Sequence, residues 1–482
     1  MIVTWFLSCI ARNALDFAQV PFSAGQRWSR LGRVRASYWL VGVMGAFFCL
    51  CLMFAWDTPY RQAGHLLYQR GPDGQHAKIS DIGAPDERQH ANYVAHIREG
   101  KGLPVLKPGS TDLYETYQAH QPPLYYLLAA GWSSLLGADP TSPDQGTGLK
   151  LRSLNALIGL STLLGVYVGA RVLLQNDNTA MAATAVCLLP MNLALHGALS
   201  NDPLLIALCT WSVTGLILGI RTGFSLKIVL IVGLSTGLAL LTKTTALALF
   251  PVIALGLLAG RNRDWRVWVG CLALPVALAM PLWLRNLGLY GDPFALKAFN
   301  EAFVGSPQAS AFIEGFGPWA YWANFVLWWT ARSLIGVFGY MDIFMLEQVS
   351  RTTSGVFYNL AACLLILILV IGLVQFRNMS REDSRLKVAM VPVLALPVIV
   401  ALLFVRFNLQ YFQGQGRYLY PALAPVAWLL AAGVASPQDK SPAGLVRAIV
   451  WSLVLLSVSL LAWSELGPAF AIRLSGITQP SS

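Results

Sequence analysis

Charged residues are scarce in this chain. Asp, Glu, Lys and Arg make up 12% of its 482 residues, about half the share of a soluble globular protein. Hydrophobic residues reach 56% and the mean hydropathy is +0.56. That balance excludes an ordinary soluble domain and indicates an all-α polytopic membrane protein, because helices satisfy their own backbone in lipid. Acid is scarcer than base, 23 residues against 34, but the basic residues are scattered over short loops. They therefore read as topology signals, and nucleic acid is excluded as a partner. Cysteine is limited to seven residues; Cys49, Cys51, Cys187 and Cys271 lie in apolar stretches without paired spacing, which indicates neither disulfides nor a zinc site. A glycine-rich nucleotide-phosphate loop ending in Lys-Ser/Thr is missing, as is any repeat between the two halves. The first ten residues are apolar without a basic n-region or cleavage site, so no signal peptide is read there.

What is present is a series of apolar runs long enough to cross a hydrocarbon core of roughly 30 Å, among them 36–56, 267–284, 354–376, 388–405 and 448–464. Arg27, Arg30, Arg33 and Arg35 crowd the start of the first, which puts the N-terminus in the cytoplasm. Two further stretches, 122–138 and the tryptophan-rich 319–341, are expected to lie along the interface: one is short and starts with Pro-Pro, the other carries Trp319, Tyr321, Trp322, Trp328 and Trp329. With both interfacial, the short loops at Arg221/Lys227, Arg261/Arg263/Arg266, Arg377/Arg381/Arg385/Lys387 and Lys440/Arg447 all face the cytoplasm. About eleven spans follow, with the C-terminus outside. The expected organisation is a cytoplasmic lead-in over 1–35, a transmembrane module over 36–435 with outer loops 57–150 and 286–353, and a cytoplasmic loop, last span and short outer tail over 436–482.

That parity places Asp86, Glu87, His90, His120, Asp202, Lys243, Arg285, Asp292, Arg332 and Arg417 on one face, outside. A constellation drawn from many loops onto one side reads as a site. Pro85 and the stripe Tyr93, Val94, Ile97 predict an interfacial helix over 86–99, stopped by Gly100 and Gly102. Asp86 at its start suits a general base or a cation ligand, with His90 one turn on; simple N-terminal capping accounts equally for it. Asp202, in Ser200-Asn201-Asp202-Pro203, is either a cap or a functional acid. Lys243 is suited to a phosphate or to snorkelling. Arg285, Arg332 and Arg417 present planar forks to phosphate oxygens, and Arg417, starting a span beneath a glycine-containing loop, is the foremost of them. Interfacial anchoring competes for Arg285 and Arg332.

Taken in order, Asp86-Glu87 after the first span, Pro122-Pro123, Arg152, Asn201-Asp202-Pro203, Thr242-Lys243, Arg285-Asn286 with Tyr290-Gly291-Asp292-Pro293, and Gly416-Arg417-Tyr418 resemble the C-type (GT-C) superfamily of membrane glycosyltransferases. Protein O-mannosyltransferases and the aminoarabinose transferases of lipid A are the relatives in view, over most of 36–435. The chain departs where Gln121 separates His120 from Pro122, and after about 435 by adding one span without a soluble sugar-binding domain.

The resemblance implies sugar transfer from a polyprenyl phosphate, with inversion, on the outer face of a bacterial inner membrane. Asp86 would deprotonate the acceptor hydroxyl, and Glu87 would orient the acceptor or hold a cation. Arg417, with Lys243 or Arg285, would neutralise the departing phosphate, supported by His90, His120, Asp202 and Arg332. A divalent cation stays open, as do sugar and acceptor. The alternatives are a transporter or flippase of lipid-linked saccharides and a polymerase or ligase using diphosphate-linked glycans. Charges gathered at one edge, and a large loop after the first span, favour the transferase.

Overall fold

The computed structural model describes residues 30–66 and 79–478. Most of the lead-in expected over 1–35, including Arg27, lies outside the described residues, as do 67–78 of the first outer loop. Among the described residues seven helices are long and apolar enough to cross a membrane: Tyr38–Asp57, Gln145–Leu174, Asp202–Thr222, Trp265–Tyr290, Arg351–Glu382, Ser384–Asn408 and Pro442–Ser475. Asp177–Leu188 and Pro190–His196, bent by 64° at a break, make an eighth if taken as one. A Pro at the first position of the second piece starts it anew. Two shorter apolar helices, Leu226–Leu240 and Thr244–Ala259, fall below that length, so length and composition give seven or eight spans among the described residues and do not establish the eleven expected. Neither 122–138 nor 319–341 contains a candidate span.

The helices relevant to the site are α1 (Arg30–Asp57), α2 (Glu87–Arg98), α3 (Leu124–Leu135), α4 (Gln145–Leu174), α5 (Asp202–Thr222), α6 (Leu226–Leu240), α7 (Leu274–Tyr290), α8 (Leu296–Ala302), α9 (Trp328–Ile335), α10 (Arg351–Glu382), α11 (Ser384–Asn408), α12 (Leu423–Val434) and α13 (Pro442–Thr478). Helix α5 forms the centre, with 94% of its apolar window buried in protein, and α4 beside it has 72%; α10 has only 11% and turns most of its surface outward. Apolarity all round α5 therefore reflects a protein core, whereas on α10 it suits lipid.

Small residues let these helices meet. A Cβ on Gly372 of α10 would lie 1.9 Å from the Leu429 carbonyl oxygen of α12, and one on Gly433 would lie 2.1 Å from that of Ile368. The two backbones thus touch at a reciprocal pair of glycines, as small residues permit between membrane helices.

At one end of the bundle the loop after α1 folds back. Strands β1 (Ala63–Leu66) and β2 (Ile79–Asp81) pair antiparallel and lead into α2. Helix α3 packs on α2 through Tyr93 and Tyr126, whose rings stack with centroids 3.7 Å apart. The Leu124 amide donates to the Leu241 carbonyl at 2.9 Å, fastening this loop to the end of α6. A second segment, through α8, is held across the end of α11: the Phe412 amide donates to Pro307 and that of Ala309 to Gln410.

Candidate functional site

Asp86 stands at the N-terminus of α2 with left-handed backbone angles, φ 63° and ψ 0°. Asp tolerates that region better than most residues. Its side chain makes no capping bond, so capping does not use the carboxylate. Instead the Tyr117 hydroxyl donates to Oδ1 at 2.5 Å and Arg417 Nη2 donates to Oδ2 at 2.6 Å. Arg417 lies 331 residues away in the chain. It is aimed by Gly416, whose amide donates to Ser333 Oγ at 2.7 Å and whose absent Cβ would lie 2.5 Å from the Leu334 amide nitrogen.

A second pair lies alongside. Lys243 Nζ donates to Asp202 Oδ1 at 2.5 Å, across 41 residues. Asn201, preceding it, donates to the Thr242 carbonyl at 3.2 Å and to Gln121 Oε1 at 3.3 Å. Tyr418 joins the pairs: its ring centroid is 5.2 Å from the Arg417 guanidinium carbon and 5.9 Å from Lys243 Nζ. His90 senses both, being acted on electrostatically by Asp86, Asp202, Lys243 and Arg417. Its Nδ1 lies 2.8 Å from the Tyr126 hydroxyl.

Burial alone would raise the Asp86 carboxyl, but the Arg417 charge and the hydrogen bonds from Tyr117 and Arg417 outweigh it and hold the group below the usual carboxylate range. Asp86 is therefore an anion at neutral pH. Burial pushes His90 down to about 4 against the pull of the nearby carboxylates, and His120 to about 4 despite its bond to the Tyr117 carbonyl. Both imidazoles are neutral at pH 7.

Glu87, expected to share the chemistry with Asp86, engages a different set of partners. Arg152 Nε and Nη2 donate to its two oxygens at 2.8 and 2.5 Å, and the Leu199 amide donates to Oε1 at 2.7 Å. The remaining Arg152 donors reach the carbonyls of Ala55, Thr58 and Pro59. This buried clasp ties α2 to α4 and to the end of α1, and leaves no carboxylate oxygen of Glu87 unengaged.

Three other expected residues lie apart from the Asp86 cluster in their bonding. Arg285 Nη2 donates to the carbonyls of Leu103 and Pro104 at 3.1 and 2.9 Å, bracing a loop. Arg332 stacks over Trp328 at 3.8 Å. Asp292 accepts amide bonds from Phe294, Leu296 and Lys297 and caps its own turn. His120 lies against Phe299, 5.0 Å between ring centroids, and lines a small crevice with Pro122, Leu240, Thr244, Leu282 and Trp283.

Tyr117 and Gln89 are absent from the sequence-based set although both belong to the site. Gln89, one turn after Asp86, was visible by spacing, but nothing in the sequence marks Tyr117. Among the described residues no three His, Cys, Asp or Glu side chains gather to hold a metal ion. Asp86 and Asp202 are each engaged by a cationic side chain, so this donor set does not fit a divalent cation.

A family model described as "Predicted membrane protein (DUF2142)" matches residues 111–426, well over half of the chain. No curated protein matches it. Among solved structures the chain is similar to the apo oligosaccharyltransferase of Archaeoglobus fulgidus, with a TM-score of 0.51 and 15% identity over 89% of this chain and 56% of that one. It is also similar to ArnT from Cupriavidus metallidurans bound to undecaprenyl phosphate, TM-score 0.45, 15% identity, covering 93% and 76%. A third is the Saccharomyces cerevisiae Pmt1-Pmt2 O-mannosyltransferase complex bound to its sugar donor, TM-score 0.36, 17% identity, covering 63% and 35%. The chain spans little more than half the length of the archaeal enzyme. At 15% identity the similarity to the archaeal enzyme establishes the fold alone, a polytopic all-α membrane architecture.

Proposed function

The chain belongs to the DUF2142 family of predicted membrane proteins, and we propose that it is an inverting glycosyltransferase using a polyprenyl-phosphate-linked sugar. The observation that carries this reading is the meeting of an ionised, non-capping carboxylate, Asp86, with Arg417 from a distant segment of the chain, beside a second acid–cation pair, Asp202–Lys243.

Asp86 takes the proton of the acceptor hydroxyl as its oxygen attacks the anomeric carbon from the face opposite the phosphate. The new C–O bond forms, the bond from carbon to phosphate oxygen breaks, and the polyprenyl phosphate leaves with that electron pair. Arg417 and Lys243 stabilise the charge that develops on it. An archaeal oligosaccharyltransferase of this fold is known in complex with a dolichol-phosphate, in keeping with a lipid-phosphate carrier. Glu87 and Arg285 position the loops, and Arg332 anchors the aromatic segment.

The outer side is supported by the helix directions. Basic loops at Arg221, Arg261, Arg263, Arg266, Arg377 and Arg381 fall at the ends of the helices remote from the site, where the positive-inside rule puts the cytoplasm.

The test is transfer from labelled polyprenyl-phosphate sugars by the purified chain in liposomes, compared with Asp86→Asn. Loss of transfer with lipid binding retained supports the reading, and undiminished transfer removes Asp86 as the base. Donor movement across the bilayer without transfer would establish a transporter instead.

A further inference from the structure

Two carboxylates adjacent in the chain are held by arginines in unlike ways. The Glu87–Arg152 pair is saturated: its side chains are 3% and 0% exposed, both carboxylate oxygens are engaged, and the guanidinium reaches three further carbonyls. Asp86–Arg417 is not. Arg417 has a side chain only 10% exposed, yet it gives Asp86 a single nitrogen of its fork, and its Nε is buried with no partner among the described residues.

A buried donor without an acceptor is unfavourable and favours any ligand that supplies one. Nε and Nη2 form one edge of the guanidinium, and that edge matches two oxygens of a phosphate. Asp86, reached by Nη2 alone, leaves half of it unused. Asp86 itself is 23% exposed, so the pair stands open where the other is sealed.

Resting on the glycosyltransferase reading, we propose that Arg417 is shared between base and donor. Bonded through Nη2 it masks Asp86, and the phosphate of the lipid donor draws the Nε–Nη2 edge away, freeing the base only once the donor is seated. Tyr117 stays bonded to Oδ1 and keeps the carboxylate aimed. The neutral His90 and the Tyr340 and Tyr114 hydroxyls are the other ionisable groups acting at Asp86; the Asp202–Lys243 pair lies alongside, and Lys243 supplies the phosphate with a second cation. With Arg417 withdrawn, the burial that opposes ionisation of Asp86 is no longer offset by that charge, so the carboxylate becomes a stronger base at the moment it is needed. Binding is thereby ordered, donor before acceptor deprotonation.

The experiment measures affinity for a sugar-free polyprenyl monophosphate in phosphatidylcholine nanodiscs, for the native chain, Asp86→Asn, Arg417→Gln and the double variant, each checked for native thermal unfolding. The expected result is about tenfold tighter binding by Asp86→Asn, equivalent to about 1.4 kcal/mol, weaker binding by Arg417→Gln, and no gain from Asp86→Asn in the Arg417→Gln background. An equal gain in both backgrounds means that Asp86 acts only as a distant charge and overturns the masking; so does no gain in either. Native affinity in Arg417→Gln fails the phosphate reading itself, a separate result. Arg417→Lys, which keeps the charge and loses the fork, runs the same cycle if the glutamine variant does not fold.

Discussion

Arg152 donates to both oxygens of Glu87, at 2.8 and 2.5 Å, where the two side chains are 0% and 3% exposed. Removing one partner strands the other's charge in the protein. Arg152→Gln is expected to destabilise the chain by about 3–5 kcal/mol and Glu87→Gln to do likewise, whereas the double variant loses less than the sum. Thermal unfolding in detergent measures this, and additive losses would show that the pair is not coupled.

Tyr117 acts through Asp86. Tyr117→Phe removes the hydrogen bond that aims the carboxylate, so transfer should fall by about tenfold, and because the same bond helps hold the carboxyl down the acid limb should move to higher pH. A merely structural role would lower the rate without moving the limb, which a pH profile of kcat/KM distinguishes.

The acid side of that profile has a sign. Asp86 lies below its ordinary range, so the base stays charged through the neutral region, and the stability its pairing contributes is lost only as pH falls through its lowered folded value. His90 and His120, lowered from 6.5 to about 4, bind fewer protons than the unfolded chain between those values. Their contribution is full above 6.5 and declines as pH falls to 4. Activity in the native chain should therefore show no limb near pH 6.5, while thermal stability declines over pH 6.5 to 4. An activity limb near 6.5 would place a different group in control.

The glycine contact between α10 and α12 leaves no room for a methyl group. Gly372→Ala and Gly433→Ala each put a Cβ about 2 Å from a backbone oxygen, and each should cost about 1–3 kcal/mol. The mirror change Gly355→Ala, on the same helix with nothing within 4 Å of its added Cβ, should be neutral. Equal unfolding temperatures for all three would show that the helices separate readily.

The sequence alone determined the class. Scarcity of charge, long apolar runs and the basic short loops leave little but a helical membrane protein, since lipid admits no unsatisfied backbone. The order of weak motifs from Asp86 to Arg417 was likewise enough to point to the fold. Local order also sufficed for α2, whose apolar stripe and following glycines predicted it to within a few residues.

Partners across space were another matter. Asp86 and Glu87 are equivalent by position, yet one meets Arg417 and the other Arg152, and only the packing of α2 against α4 and the 416–422 turn decides which. Arg285 and Arg332 have the same fork as Arg417, but the Leu103–Pro104 carbonyls and the Trp328 ring occupy them. Tyr117, which fixes the aim of Asp86, carries no signal in one dimension. A charge or a hydroxyl acquires a role only from what lies within 3 Å of it, and in this chain those neighbours stand as many as 331 residues away.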